Sequence, residues 1–265
     1  FNDHGFRDRV NLSAVNSINW ARLMPQIVYY FSAALALGAP GRKVAFSVPT
    51  GNFGNVFAGY VAMRMGLPVE RLIVASNSND ILTRFFEQGA MQRAVVMPSL
   101  SPSMDIQVSS NFERLLFELM DRDGVAVAGI MDRFAETGRF KLPDSAMTAA
   151  HRHFSAYRLD DAGTLAEIAA SMETDGMCLD PHSAVGVSAA RRAVADGTVP
   201  AGVPVVALAC AHPAKFDSAV TQATGTPPAL PPHLADLMDR PEKMHHADAT
   251  ADAVRDLVLA RRRDA

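Results

Sequence analysis

The sequence predicts an α/β fold with an open, mostly parallel sheet flanked by helices. Two observations carry this prediction. Residues 43–75 have the pattern of a strand, a glycine-containing loop, a helix and a second strand, which is the order of a β-α-β unit. Such units join parallel strands through a right-handed crossover. Residues 203–208 form another strongly apolar segment, which indicates a further strand of the same sheet.

A long helix is predicted before the first strand. Apolar residues recur at three- and four-residue spacing over residues 16–37, and Gly38 and Pro40 end the pattern. Pro25 conflicts with this helix and predicts a kink or a break near Met24.

The remaining elements follow from apolar periodicity and from glycine, proline and capping residues. Strands are predicted at residues 43–48, 72–75 and 203–208, and further helices at residues 56–65, 77–86, 112–120, 164–172 and 249–259. We expect residues 1–224 to form one large α/β domain. The tail, residues 225–265, is rich in Pro, Asp and Arg and is expected to pack on that domain as a helical segment.

Composition excludes several classes of protein. The formal net charge of −3 and a pI near 6.2 give no general attraction to nucleic acid or anionic membranes. No apolar run reaches transmembrane length, so no membrane association is expected. Cys178 and Cys210 lack metal-type spacing, and the histidines lack a set of partner ligands, so no metal is expected. The two cysteines fit a reducing compartment, and we expect a cytoplasmic protein.

The most informative segment is residues 47–55, Ser-Val-Pro-Thr-Gly-Asn-Phe-Gly-Asn, between a strand and a helix. Free backbone N–H groups and the positive end of the helix dipole meet at such a turn, which predicts an anion site. Gly51 and Gly54 permit a left-handed backbone or a close approach, and Asn52 and Asn55 offer amide donors. The loop matches neither common nucleotide-binding glycine motif. A plain connecting turn is the alternative.

Other candidate groups are weaker. Asp180, His182 and His212 have the chemistry of acid–base groups, but Asp-Pro-His is more often a structured turn. Lys215 follows an apolar strand and would be a candidate to bond a carbonyl cofactor. A surface lysine at a helix start is the simpler interpretation.

Four separated motifs, in this order, resemble those of threonine synthases. They are residues 16–22 with Gln26 and residues 29–31, then residues 47–55, 180–186 and 211–216. The similarity extends over about residues 11–220. The resemblance implies a pyridoxal-phosphate enzyme of the tryptophan-synthase-β-like fold (type II). Such enzymes convert O-phospho-L-homoserine and water into L-threonine and phosphate, the last step of threonine biosynthesis.

The resemblance also implies site residues. The family's cofactor-phosphate loop falls on Gly51, Asn52, Phe53, Gly54 and Asn55. Asn19 and Arg22 are the candidates for binding phosphohomoserine, because the forked donors of arginine suit phosphate. Pairing of Arg22 with a surface carboxylate is the alternative.

Two departures from the family pattern matter. Cys210 stands where the family has a hydroxyl residue that hydrogen-bonds the pyridine nitrogen, and a thiol is a weaker donor. The family's Schiff-base lysine lies in an upstream Phe-Lys-Asp motif, and no lysine here stands in that context. We therefore assign no catalytic residue. The chain is interpreted as the C-terminal portion of a threonine synthase, incomplete at its N-terminus and inactive alone, from a monomeric or homodimeric enzyme.

Two other functions stay open at this point. Threonine-synthase-like proteins include phospho-lyases that act on other phosphorylated amino compounds. A non-catalytic phosphate-binding protein that retains only the loop is the second alternative.

Overall fold

The computed structural model describes residues 2–14 and 16–262, which divide into two compact units. The larger unit spans Ser17–Ala229, and the smaller one contains the described residues among 1–16 and 230–265. In the smaller unit, Arg255 lies over the ring of Phe6 and pairs with Asp3 at 3.5 Å. The predicted domain boundary between residues 224 and 225, with the tail packed on the large domain, stays a prediction.

A parallel sheet organises the larger unit. Its four strands are β1 (Val44–Pro49), β2 (Val69–Ser76), β5 (Phe154–Arg158) and β6 (Val205–Ala207), in the order β5-β2-β1-β6. Two short strands, β3 (Ala90–Gln92) and β4 (Arg139–Lys141), form a separate antiparallel pair. The predicted class, an open parallel α/β sheet flanked by helices, is confirmed.

Eleven α-helices occur in the described residues. They are α1 (His4–Arg9), α2 (Trp20–Ala36), α3 (Gly54–Arg64), α4 (Ile81–Gln88), α5 (Phe112–Leu119), α6 (Gly124–Thr137), α7 (Asp144–His151), α8 (Asp161–Asp175), α9 (Pro181–Ala195), α10 (Asp217–Thr224) and α11 (Ala251–Arg261). Within residues 2–14 and 16–262, none of the helices has the length and apolar character needed to cross a membrane.

The sheet is covered on both faces. Phe46 and Leu72, which are register partners on β1 and β2, belong to a large core that includes residues of α2, α3 and α4. Ala45 and Ile73 point to the opposite face and pack in a second cluster with Val185 of α9. Burial on both faces explains why β1 is a continuous apolar run and not an alternating one.

Gly59 of α3 permits the close packing of α3 on α2 and the sheet. A Cβ atom there would lie 2.5 Å from Cε1 of Tyr30 and 2.8 Å from Cδ2 of Leu72. We expect Gly59→Ala to lower the free energy of unfolding by about 1–3 kcal/mol, the usual cost of overpacking a core. Urea unfolding of the purified protein measures this effect.

Gly129 of α6 provides the matched control, because a Cβ atom there would have no neighbour within 4 Å. Gly129→Ala is expected to stabilise the protein by about 0.5–1 kcal/mol through helix propensity. Equal unfolding midpoints for the two variants would contradict the packing argument.

The first long helix begins later than predicted. Asn19 caps α2 because its Oδ1 accepts the N–H of Ala21 at 2.9 Å, so the helix starts at Trp20 and not at residue 16. The helix then continues through Pro25 to Ala36, and the predicted break near Met24 is wrong.

Several elements were not predicted from the sequence. These are the two short strands, β5, and the helices α1, α6, α7, α9 and α10. Of these, α9 matters for the site. Asp180 is its N-cap and Pro181 its first residue, so the Asp-Pro-His segment begins a helix and is not an isolated turn.

Candidate cofactor and substrate site

The glycine loop connects the carboxyl end of β1 to the start of α3. Phe53 is the N-cap of α3, and its φ of 61° puts it in the left-handed region. Its side chain is buried and meets Phe112 edge to face at 5.1 Å, which anchors the loop in the core. The left-handed residue of the loop is therefore Phe53 and not Gly51 or Gly54.

Gly51 and Gly54 instead allow close approach. A Cβ atom on Gly51 would lie 2.8 Å from the carbonyl oxygen of Ser103, and one on Gly54 would lie 3.3 Å from Nδ2 of Asn111. Real Cβ atoms essentially never lie as close to backbone as the first distance. The loop thus needs glycine at position 51 to pack against the Ser103 segment.

The carbonyl groups of the loop are turned toward one neighbouring segment. The Gly51 oxygen accepts a hydrogen bond from Oγ of Ser109 at 2.8 Å. The Asn52 oxygen accepts two, from the N–H and from Nδ2 of Asn111, at 3.1 and 3.0 Å. These bonds satisfy two acceptors of the loop, the carbonyl groups of Gly51 and Asn52.

Among the described residues, the main-chain donors of the loop have no protein partner. In the part of the chain that the structure describes, no acceptor pairs with the N–H groups of Gly51 to Asn55, and no side chain caps α3. Such unpaired N–H groups at a helix N-terminus, with the positive end of the helix dipole, form an anion site. The geometry thus fits a phosphate group.

A cavity of about 200 Å³ lies against these donors. Besides the loop, it is lined by Ser17, Arg22, Leu23, Gln26, Pro49, Thr50 and Ser103. Five predicted cofactor residues and one predicted substrate residue therefore line the same cavity. Asn19 and Cys210 are not part of this lining.

Arg22 is exposed and lines the cavity from α2. Among the described residues no carboxylate pairs with its guanidinium, so the alternative of a surface ion pair has no support there. Asn19 has a different role in the structure, because its side chain caps α2. Its contact with substrate stays a prediction.

Asp180 is a buried carboxylate that accepts several hydrogen bonds. Oδ1 accepts from the N–H and from Nδ1 of His182, both at 2.9 Å. Oδ2 accepts from the N–H of Ser183 and of Ala211, both at 3.3 Å, and from Oγ of Ser183. Burial acts to raise the pKa of Asp180, but hydrogen bonds from His182 and Ser183 outweigh it and hold the pKa below its usual range.

His182 uses both ring nitrogens within the protein. Nδ1 donates to Asp180, and Nε2 accepts the N–H of Ser103 at 3.3 Å. The ring also packs against Phe216 at 4.9 Å. This arrangement leaves no ring nitrogen for acid–base chemistry. His182 instead connects Asp180 to Ser103.

Cys210 lies just beyond β6. Its N–H donates to Oγ of Ser183 at 3.0 Å. Desolvation by neighbouring atoms, and then repulsion from the Asp180 carboxylate, raise the pKa of the thiol to about 12. The residue is exposed, which weakens the effect of desolvation, but a raised pKa still keeps the thiol protonated at neutral pH. A protonated thiol is the form that can donate to a pyridine nitrogen.

The two other polar candidates near this strand face solvent. His212 is exposed, and its Nδ1 accepts the N–H of Ala214 at 3.2 Å, which caps a short 3₁₀ turn. Lys215 in the same turn is exposed, in keeping with the simpler interpretation of a surface lysine.

The sequence did not reveal the residues that support the loop. Ser109 and Asn111 hold its carbonyl groups, and Ser103 closes the cavity. The Ser-Ser-Asn run before α5 has the composition of a helix start. No signal in that run indicates a partner loop about sixty positions earlier.

Solved structures define the class of this fold. The chain superposes on pyridoxal-phosphate-bound threonine synthase from Brucella melitensis with a TM-score of 0.94 and 51% identity, over all of this chain and 56% of that one. Threonine deaminase isoform 2 from Solanum lycopersicum shares the fold at 11% identity, with a TM-score of 0.56 over 83% of this chain and 52% of that one. The chain thus has the fold of the type II pyridoxal-phosphate enzymes.

Comparison with sequence relatives narrows the assignment from this fold class to one family. Threonine synthase from Pseudomonas aeruginosa is 54% identical over 92% of this chain and 51% of its own length. The family model described as threonine synthase, C-terminal, matches residues 183–258. The chain belongs to the threonine synthase family, as the sequence motifs predicted, and spans about half the length of the curated relatives it matches.

Proposed function

We propose that this chain supplies the cofactor-phosphate cradle and part of the substrate wall of a threonine synthase. Such an enzyme converts O-phospho-L-homoserine and water into L-threonine and phosphate with pyridoxal 5′-phosphate. The observation that carries the proposal is the set of unpaired N–H groups from Gly51 to Asn55, beside Arg22 in one cavity. A cytoplasmic location and a monomeric or homodimeric state remain predictions.

The loop would hold the cofactor through its phosphate. The N–H groups of the loop and the N-terminus of α3 favour a dianionic group. Two side chains add donors: Oδ1 of Asn52 accepts from Ser110 at 3.2 Å, and Oδ1 of Asn55 accepts from Tyr30 at 3.1 Å. These bonds leave the amide Nδ2 atoms of Asn52 and Asn55 for the ligand.

The cofactor, when bound, supplies the electron sink that the reaction needs. The residues of this chain would bind and orient the cofactor and the substrate. Arg22 would bind the phosphate ester of the substrate through the two parallel hydrogen bonds that a guanidinium group can donate. The protonated thiol of Cys210 would donate to the pyridine nitrogen. Because no lysine here stands in the family's cofactor-bonding context, the isolated chain is expected to be inactive.

Assays of the full-length protein that contains this chain test the function. We expect pyridoxal-phosphate binding and the release of phosphate from O-phospho-L-homoserine in step with threonine formation. Turnover of another amino-alcohol phosphate in preference to phosphohomoserine would indicate a phospho-lyase instead. Binding of phosphate ligands without any turnover would indicate a non-catalytic protein, and either result would overturn the proposal.

Gly54→Ala tests the cradle. The added methyl group would lie 3.3 Å from Nδ2 of Asn111, the amide that donates to the carbonyl oxygen of Asn52, so the loop would have to shift. We expect the Kd for pyridoxal phosphate to rise roughly fivefold, about 1 kcal/mol, the lower end of overpacking costs. Cofactor titration of the full-length protein measures the change, with Gly129→Ala as the control. An unchanged Kd would count against the cradle.

A further inference from the structure

A buried cluster of Asp180, His182 and Ser183 lies between the two ends of the proposed cofactor site. The three residues are 1%, 4% and 5% exposed. They stand at the start of α9, and Asp180 accepts hydrogen bonds from both others. We call this group the Asp180 cluster.

On one side, the cluster holds the segment that follows β6. Oγ of Ser183 accepts the N–H of Cys210 at 3.0 Å, and Oδ2 of Asp180 accepts the N–H of Ala211 at 3.3 Å. This segment carries the thiol assigned to the pyridine nitrogen. The cluster therefore positions it through its main chain.

On the other side, the cluster contacts the wall of the cavity that lies against the proposed phosphate-binding loop. Nε2 of His182 accepts the N–H of Ser103, which lines the cavity. The carbonyl oxygen of Ser103 is also the atom that excludes a side chain at Gly51. A movement of Ser103 would therefore change the space available to the loop.

The Ser103 segment has a second anchor, which limits the expected effect. Oδ1 of Asp105 accepts from Nδ2 of Asn77 at 2.7 Å and from Oγ of Ser99 at 2.6 Å. Loss of the bond from Ser103 to His182 should therefore shift the wall of the cavity without unfolding it.

We propose that His182 is a positioning residue that, through Ser103, sets the shape of the cofactor-phosphate cradle while Asp180 holds the other end of the site. This inference rests on the proposed function and adds to it. It predicts that His182 affects the binding of the phosphate group more than the binding of the pyridine ring.

Two substitutions separate the two bonds of His182. In His182→Asn, the amide nitrogen can take the place of Nδ1 and keep the bond to Asp180, but nothing reaches Ser103. In His182→Gln, the longer side chain can place its Oε1 near the position of Nε2 and accept from Ser103. His233→Asn, at an exposed position of the smaller unit, is the matched control.

The readout is the Kd for pyridoxal phosphate and for pyridoxal, which lacks the phosphate, measured on the full-length protein. Loss of one hydrogen bond predicts that His182→Asn raises the Kd for pyridoxal phosphate about three- to tenfold. The Kd for pyridoxal should stay unchanged. His182→Gln and His233→Asn should bind both compounds as the wild type does. The ³¹P resonance of the bound cofactor should shift in His182→Asn alone.

Three results would overturn the inference: Kd values for both compounds equal to those of the wild type in His182→Asn, a parallel loss of affinity for both compounds, or failure of both variants to fold. Failure of the proposed function would give a different result. The wild-type protein itself would then not bind pyridoxal phosphate or release phosphate from O-phospho-L-homoserine.

Discussion

Asp180→Ala is expected to destabilise the protein by about 3–5 kcal/mol, because several donors lose a charged acceptor at once and each such hydrogen bond contributes about 1.5–3 kcal/mol. The change removes the cap of α9 and leaves buried donors of His182, Ser183 and Ala211 without their acceptor. Each unpaired buried group adds a desolvation cost. Denaturant unfolding measures the loss.

Asp123 provides the matched control. It caps α6 by accepting two backbone N–H groups at 3.0 Å, as Asp180 does for α9, but it is exposed. Asp123→Ala should cost only about 0.5–2 kcal/mol, the usual value for a lost cap. If both variants lost the same stability, burial of Asp180 would have no special effect.

The same carboxylate predicts a pH dependence. The folded pKa of Asp180 lies below its usual range, so its contribution is complete above the unfolded pKa of about 3.9 and is lost as the pH falls through the folded pKa. The difference in unfolding free energy between wild type and Asp180→Asn should therefore be largest near neutral pH and shrink below about pH 4. A difference that grew on acidification would contradict the assigned direction.

Arg22→Ala is the substitution expected to have the largest effect on activity. Hydrogen bonds to charged groups contribute about 1.5–3 kcal/mol, so the KM for O-phospho-L-homoserine in the full-length enzyme should rise about 10- to 150-fold. Arg22→Lys should lie between wild type and alanine, because it keeps the charge but loses the fork. Steady-state kinetics with varied substrate give this result.

Arg133→Ala serves as the control for Arg22. Arg133 is also exposed on a helix, α6, and does not line the cavity. Its substitution should leave the KM within about twofold, as for most surface changes. A wild-type KM in Arg22→Ala would contradict the proposal that this residue binds substrate.

The β-α-β core was predictable because its signals are local. Strand β1 is an apolar run followed by a glycine loop, and β2 contains an apolar run that follows the helix stop at Gly66 and Pro68. These patterns need no knowledge of distant residues. Helix α9 was missed for the opposite reason. It is buried nearly all round, with Ala184, Gly186 and Ala189 among its residues, so it lacks an amphipathic stripe.

The candidate site was predictable in part. The anion-binding character of the loop follows from a strand, glycines and a helix start, and the structure fits it. Of the two roles that the sequence left open for Gly51 and Gly54, the structure shows close approach, and the left-handed conformation at Phe53 was not predicted because glycine is the usual choice for it. The bond from Ser103 to His182 joins residues 79 positions apart, and no local pattern contains that information.

The donors of the loop belong to the main chain, and this has a consequence for its tolerance of mutation. Every amino acid except proline carries a backbone N–H, so an ordinary substitution cannot remove one of these donors. Apart from the amide side chains of Asn52 and Asn55, substitutions can act only through the shape of the loop, which depends on the contact of Gly51 with Ser103 and on the left-handed Phe53. The proposed phosphate affinity therefore depends mainly on the backbone geometry of the loop, and random mutagenesis should find the greatest sensitivity at Gly51 and Phe53.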